Sequence, residues 1–542
     1  MLHTEALDRF IEEYGYLTLE PYILDENGVT KTGKTNELIS VIPIAPTALL
    51  QNVDTQTEKI ELSFLKRGKW HKYVTERSVL ANRNSIVRLA DKGIEVNSDN
   101  ASKLVKYIAD AVAFNLNRLP YKDAKTVMGW YDSKFMPYTD DLIFDGEDQF
   151  KFLFNAIHSK GNLDEWVEFI RPYRNNLAIR LCMAASFASP LIELVGANSF
   201  VFHLWGKTGT AKTVALLMAM SIYGDPSMGR MTRTMNMTAN SMLSTAAFLN
   251  NLPFAGDELQ TIKSRWTNYD NLIMAITEGI DRARMKYDQV NEIRSWKCAF
   301  LFTGEEPCTK ERSGGGVRSR VIEVEARGKM VEDGNAVANF VRSHFGCAGP
   351  AYIQELQNRL RADPNSIIEA HRNIFRDIID STNTTDKQAA SMALILLADR
   401  IASNLFWPEE DRLELSQVRP YMFTVEKVDA SERAYQFMVN TIAANPSAFT
   451  EGARELWGRI DRKLDEPDTV LINKTILDNL LNQNGFDFDS VKVDWAERGY
   501  LVRNGDKFTQ HTTCFKSKAR YVKLRLPMDE ADPDELDDEL PF

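Results

Sequence analysis

A lysine and a threonine close a loop of small residues: Gly206-Lys207-Thr208-Gly209-Thr210-Ala211-Lys212-Thr213. An apolar run, Phe200 to Trp205, precedes the loop, and a helix-forming apolar segment, Val214 to Met220, follows it. Strand, loop and helix together are the setting that phosphate binding needs. Successive backbone N–H groups at a helix start form an anion nest, and the helix dipole adds to it. In that setting Gly206, Gly209, Thr210 and Ala211 cradle the phosphates of ATP, Lys212 reaches the β- and γ-phosphates, and the Thr213 hydroxyl holds Mg2+. The usual spacing asks for a second glycine directly before the lysine. Ala211 stands there instead, one methyl group away from the pattern.

A second set of groups follows at a distance suited to the same site. Leu252 to Glu258 reads as an apolar strand ending in two acids. Asp257 is expected to hold magnesium through water, and Glu258 to act as the base on an attacking water. The next apolar strand, Lys297 to Phe302, ends at Thr303. A polar residue at such a strand tip is either a γ-phosphate sensor or an ordinary strand-ending threonine. The glycine-rich loop Ser313 to Arg320 delivers Arg318 and Arg320 to a strand starting at Val321. An arginine there can stabilise transition-state charge on a neighbouring subunit's γ-phosphate, or be a solvated loop cation. Between these, Gly279 to Trp296 reads as a charged hairpin carrying Arg282, Arg284 and Lys286.

These residues need several units to position them. With 542 residues, roughly three or four domains are expected. Residues 1–165 read as an α+β domain, 166–345 as the ATPase motor, 346–465 as a helical lid and connector, 466–527 as a winged helix, and 528–542 as an acidic, disordered tail. In the first, Lys59 to Val74 is a hairpin turning at Arg67-Gly68, and Ala101 to Leu116 a helix with Leu104, Ile108, Ala111 and Val112 on one face. Trp70 amid Lys66, Arg67, Lys69, His71 and Lys72 is either a solvated hairpin face or a nucleic-acid contact. Pro172 should split the helical stretch Asp164 to Ala188. In the winged helix, helices Lys474 to Leu481 and Phe488 to Trp495 precede a hairpin turning at Asn504-Gly505. Its cations, Lys516 and Lys518 among them, point either to DNA phosphates or to a protein partner.

Composition limits the partners. The net charge of −11 is concentrated in the tail, whose last fourteen residues carry eight acids and no base. The body is therefore near neutral, and nucleic acid would be held by local patches rather than a global field. Five widely spaced cysteines suggest buried thiols in a reduced, cytoplasmic protein, not a zinc site. A signal peptide is not expected, and neither is a membrane span. The tail ends in Leu540-Pro541-Phe542, either a plain solubilising end or an apolar anchor with a carboxylate for docking in a basic pocket.

The loop Gly209-Thr210-Ala211-Lys212-Thr213 resembles that of the minichromosome-maintenance (MCM) helicases, which also carry alanine before the lysine. Ser319-Arg320-Val321-Ile322 resembles their Ser-Arg-Phe-Asp arginine-finger segment, which makes Arg320 the finger. The Arg282 to Lys286 hairpin resembles their DNA-gripping hairpin. Thr303 stands where that family has asparagine. More closely, the order Gly-Trp, phosphate loop, Ala-Gly-Asp-Glu, Phe-Thr-Gly-Glu-Glu and arginine resembles the replicative helicases of mobile elements, the staphylococcal cassette and pathogenicity-island proteins and their phage relatives, over roughly residues 40–330. The resemblance implies an α/β AAA+ P-loop ATPase core working on DNA as a ring, a hexamer. The tail resembles the acidic Pro-Phe tip of bacterial single-stranded-DNA-binding proteins.

Overall fold

The computed structural model describes residues 7–9, 11–13, 20–146, 148–264, 269–281, 285–286, 289–290, 294–310, 313–463 and 466–527. Three large hydrophobic cores organise them. The first is built on a five-stranded sheet with strand order Leu142–Phe144, Tyr121–Lys125, Ile44–Asn52, Glu58–Lys66 and Lys69–Glu76. The last two strands form the expected hairpin, and Arg67 and Gly68 both take positive φ, 51° and 72°, at its turn. That backbone matches the strand twist and favours glycine. The helix Ala101–Phe114 buries Leu104, Ile108, Ala111 and Val112, as its periodicity predicts, and Tyr107 as well. Trp70 packs partly against this core, and Lys66 and Lys72 pair with Glu95 and Glu61.

The second core surrounds a parallel sheet. Helix α1 (Leu177–Val195) leads into β1 (Phe200–Trp205), the loop 206–211 and α2 (Lys212–Met220). Then come β2 (Thr232–Thr234), β3 (Phe254–Asp257), β4 (Ala299–Gly304) and β5 (Val321–Glu325). The strand order is β2-β3-β4-β1-β5, all parallel. Nearly every residue of β1, β3 and β4 is buried, the run of apolar side chains that a sheet covered on both faces requires. The Asn176 side chain caps α1 just after a short turn of helix holding Pro172, the break expected there.

Three of the expected domain limits move. The second core takes in Met128, Trp130, Phe135, Met136, Leu153 and Ile157, upstream of residue 166. Trp130 donates its indole N–H to the Pro190 carbonyl at 2.9 Å, and the Asn251 side chain accepts from the Trp130 backbone at 2.9 Å. Gly129 sits under Asn251 at φ 96°, where a Cβ would lie 2.1 Å from Oδ1. The segment 129–136 therefore belongs by packing to the sheet unit. The helical stretch beyond 346 also joins this core: α3 (Asp386–Phe406) lies against α1, buried along most of its length, and is no separate lid.

Helices α1 and α3 are each long and apolar enough to cross a bilayer, yet both are mostly buried inside the protein. Their junction carries a buried ionic cluster. Asp399 accepts from Arg180 at 2.7 Å and lies 3.4 Å from Arg174, which also pairs with Glu410 at 2.7 Å and stacks on Trp407. Asp399→Ala would leave the mostly buried Arg180 guanidinium without its carboxylate and Arg174 with Glu410 alone. It should lower stability by about 3–5 kcal/mol, read as a fall in the urea midpoint at unchanged slope.

The third core begins before residue 466. Ala434, Tyr435, Met438 and Ile442 of the helix Ala430–Ala444 pack with Leu477, Leu481, Trp495, Val522 and Leu524. Trp495 donates to the Ser431 carbonyl at 2.8 Å, and Tyr435 to the Arg525 carbonyl at 2.8 Å. Helices Lys474–Gln483 and Phe488–Glu497 lie beside an antiparallel sheet ordered Gly458–Lys463, Glu466–Asn473, Ser517–Arg525, Gln510–Cys514. Its long hairpin turns at Phe515-Lys516, not at Asn504-Gly505, which makes only a small bridge between Asn504 and Lys507. The reason is register: Gln510 to Cys514 pairs with Tyr521 to Ser517, so the chain must reverse between Cys514 and Ser517. Lys516 at the turn and Lys518 on the following strand are both exposed.

Candidate active site

The C-terminal ends of β1, β3 and β4 open onto one cavity of about 240 Å³, lined by Thr208, Gly209, Ala211, Lys212, Thr213, Asp257, Glu258, Gln260, Thr303, Gly304 and Glu305. Ligand sites of open parallel sheets lie at these strand ends. Three separate stretches meet there because β4 is inserted between β1 and β3, which carries Thr303 to a place between the loop and the acid pair.

The loop geometry follows from its residues. Gly206 has φ 154°, and a Cβ there would lie 2.8 Å from the Ala326 carbonyl, so only glycine lets the loop leave β1 past the end of β5. Gly209 is left-handed at φ 86°. Ala211 is left-handed too, at φ 71° and ψ 28°, and immediately precedes α2. This is the backbone a glycine would adopt freely. Alanine keeps it at a cost of about 1 kcal/mol, and the loop's shape survives the substitution. Lys212 donates from Nζ to the carbonyls of Gly206 and Lys207, both at 2.8 Å, so its ammonium lies folded over the loop. Burial lowers its pKa, and the carboxylates of Glu305, Asp257 and Glu258 pull it back up.

On the acid side, the Thr213 hydroxyl lies 3.1 Å from both carboxylate oxygens of Asp257. The Thr303 hydroxyl also donates to Asp257, and it accepts from the Glu258 backbone N–H at 3.1 Å. Asp257 is buried, whereas Glu258 is exposed to the cavity. Glu258 is left-handed at φ 60°. Among the described residues seven non-glycine residues have positive φ, and two of them, Ala211 and Glu258, line this cavity. Backbone strain gathers at functional sites because surrounding structure must hold it there. Thr213 and Asp257 offer hard oxygen donors of the kind magnesium takes. Lys212 and the helix N-terminus offer positive charge for phosphates, and Glu258 is a carboxylate open to water.

Two further residues reach the cavity that the sequence reading passed over. Glu305 accepts a hydrogen bond from the Thr208 hydroxyl at 2.6 Å, tying the loop to the tip of β4. The Gln260 side-chain oxygen is buried against Gly304 without a hydrogen bond from a described residue. Glu305 stands just past the expected strand end, a position the sequence offers; nothing in the sequence marks Gln260.

Arg320 does not join this group. It immediately precedes β5, whose Val321 is level with Val201 near the start of β1, so it stands at the opposite end of the sheet from the cavity. Its guanidinium donates to the Gly316 carbonyl at 2.6 Å. Arg318 is tied to the carbonyls of Lys310 at 2.6 Å and Lys427 at 3.4 Å. Lys286 lies in a two-residue strand, Met285–Lys286, paired with Gln289–Val290. Arg282 and Arg284 lie outside the described residues, as does the tail with Leu540-Pro541-Phe542.

The sequence profile of a family described as "Domain of unknown function (DUF927)" matches residues 22–296, and that of a "Cch helix turn helix domain" matches residues 429–529. The solved structure titled "SCCmec type IV Cch - active helicase" has a similar fold, with a TM-score of 0.73 at 19% identity over 94% of this chain and 98% of that one. The C-terminal region of NrS-1 aligns over 70% of this chain and 90% of its own at 12% identity, with a TM-score of only 0.25, too low to carry weight. No curated protein matches the sequence.

Proposed function

The chain belongs to the family described as Domain of unknown function (DUF927), and we propose that it is an ATP-dependent DNA helicase or replication initiator of a mobile genetic element, acting in the cytoplasm as a ring, a hexamer. The observation that carries this reading is the convergence of Lys212, Thr213, Asp257, Glu258 and Thr303 on one cavity at the strand ends of a parallel sheet. The fold it shares over nearly its whole length with a structure titled an active helicase supports the motor reading, and the match to a helix-turn-helix profile supports contact with DNA.

In this reading the sheet is an AAA+ P-loop core. The N–H groups of Gly206 to Lys212 and the Lys212 ammonium hold the phosphates of ATP. The Thr213 hydroxyl and the Asp257 carboxylate would hold magnesium, which when bound would supply charge compensation to the β- and γ-phosphates. Thr303 fixes the Asp257 carboxylate by its hydrogen bond and reports on the γ-phosphate from the same place. Glu258 orients the attacking water and takes its proton. Arg320, at the far end of the sheet, serves the site of the next copy around the ring. Arg282, Arg284 and Lys286 face DNA in the channel, and Lys516 and Lys518 hold phosphates through the C-terminal unit. The tail Leu540-Pro541-Phe542 docks host replication proteins.

The test is ATP-dependent unwinding of a forked DNA duplex beside ATP turnover with and without single-stranded DNA. The wild-type chain should unwind and show DNA-stimulated turnover, and Lys212→Ala should lose both. Turnover without unwinding would replace the motor by an ATP-dependent origin-binding or recruiting switch.

A further inference from the structure

A second recess lies away from the phosphate-loop cavity. Its volume is about 150 Å³, and Asn198, Ser199, Ser319, Arg320, Lys387 and Ser391 line it. Lys387 belongs to the first turn of α3, next to Arg320, which closes the turn before β5. No carboxylate lines the recess, and among the described residues neither cation has an ion-pair partner. Burial lowers the Lys387 pKa, and the neighbouring charge of Arg320 lowers it further.

The backbone segments that carry the two cations are fastened together. Gln388, the residue after Lys387, is fully buried, and its amide nitrogen donates at 2.6 Å to both the Arg318 and Val321 carbonyls. It thereby fastens the start of α3 to the backbone on either side of Arg320. Two like charges set side by side without a carboxylate partner favour the arrival of an anion. The recess has room for a phosphate group and is too small for a duplex.

We propose that Lys387 is a second cation acting with Arg320 on the γ-phosphate of a nucleotide held by the adjacent copy, with Gln388 setting their spacing. This rests on the ATPase reading above. The recess stands at the start of β1 and β5, so the same chain's phosphate loop, at the other end of those strands, cannot use it. In a head-to-tail ring each copy presents one surface to the next and a different surface to the one behind. Lys387 and Arg320 then lie on the face opposite the loop. Arg320 supplies a planar fork, and Lys387 a compact point charge beside it.

The experiment uses full-length protein and reads ATP turnover and nucleotide affinity separately. Lys387→Ala should reduce kcat about 100-fold, with nucleotide affinity unchanged and Lys387→Arg retaining most of the rate. Mixing Lys387→Ala with Lys212→Ala chains should restore turnover above the sum of the two alone, since about a quarter of heterologous interfaces would join an intact loop to an intact pair of cations. Full turnover by Lys387→Ala overturns the proposal. So does a loss that mixing leaves unrestored, which would make the role internal to one chain. Normal turnover with a shallower salt dependence of DNA binding would reassign the recess to a DNA phosphate. A wild-type chain that binds and hydrolyses no ATP would overturn the ATPase reading and this proposal with it.

Discussion

Glu258→Gln should cut ATP turnover by about 10²–10⁴-fold while leaving nucleotide affinity close to wild type. The substitution keeps size and shape and removes only the negative charge that takes a proton from water. The phosphate loop, Thr213 and Asp257 remain, so binding has no reason to fall. The left-handed backbone of Glu258 is held by its N–H bond to Thr303 and does not depend on the carboxylate. A loss in kcat with little change in affinity, measured by single-turnover hydrolysis beside equilibrium binding of a fluorescent nucleotide, would place Glu258 in the chemical step. A variant that turned over normally would move the base elsewhere, and Glu305, across the same cavity, would be the next carboxylate to replace.

Arg320→Ala should have an effect of similar or larger size, about 10³-fold or more in kcat, since an arginine supplied in trans stabilises charge that develops only in the transition state. Its position makes the expectation specific. The guanidinium lies at the end of the sheet opposite its own chain's cavity and, among the described residues, hydrogen-bonds the Gly316 carbonyl alone. Removing it should therefore leave nucleotide binding and fold unchanged, and the defect should be complemented by Lys212→Ala chains in a mixed ring. Arg318→Ala should instead disturb the fold locally, because its guanidinium bonds the carbonyls of Lys310 and Lys427. Turnover assays on mixed chains, with thermal unfolding of each variant, separate the two arginines. An Arg320→Ala chain with undiminished turnover would remove it from the site.

The sequence made the site's main groups legible and concealed their neighbours. Lys212 and Thr213, which line the cavity, are legible because they are consecutive residues at a helix start after a glycine-containing loop. The pair Asp257-Glu258 is visible because it ends an apolar strand. That Thr303 touches Asp257 depends on β4 lying between β1 and β3, and strand order is a property of the sheet that no local spacing records. Gln260 and Glu305 enter the cavity for the same reason.

The limits between units were harder to read. Met128 to Ile157 shows no break in composition from what precedes it, yet its apolar side chains are buried by elements more than fifty residues away in the chain, such as Pro190 and Asn251. In the C-terminal unit Asn504-Gly505 is the strongest local turn signal and does turn, but the longer ladder reverses at Phe515-Lys516, where nothing in the sequence favours the left-handed Phe515.

The packing of Trp130 and its neighbours has a practical corollary for anyone wishing to excise the central unit. A fragment begun at residue 166 would strip the sheet of Met128, Trp130, Phe135 and Met136 and bare the apolar surface they cover. It would also remove the hydrogen bonds that Trp130 donates to the Pro190 carbonyl and the Asn251 side chain. Such a piece would collect in inclusion bodies for want of one hairpin. Cut instead just before Met128 and just after Met422, the two ends of the core's buried residues, the excised unit would carry its whole interior with it.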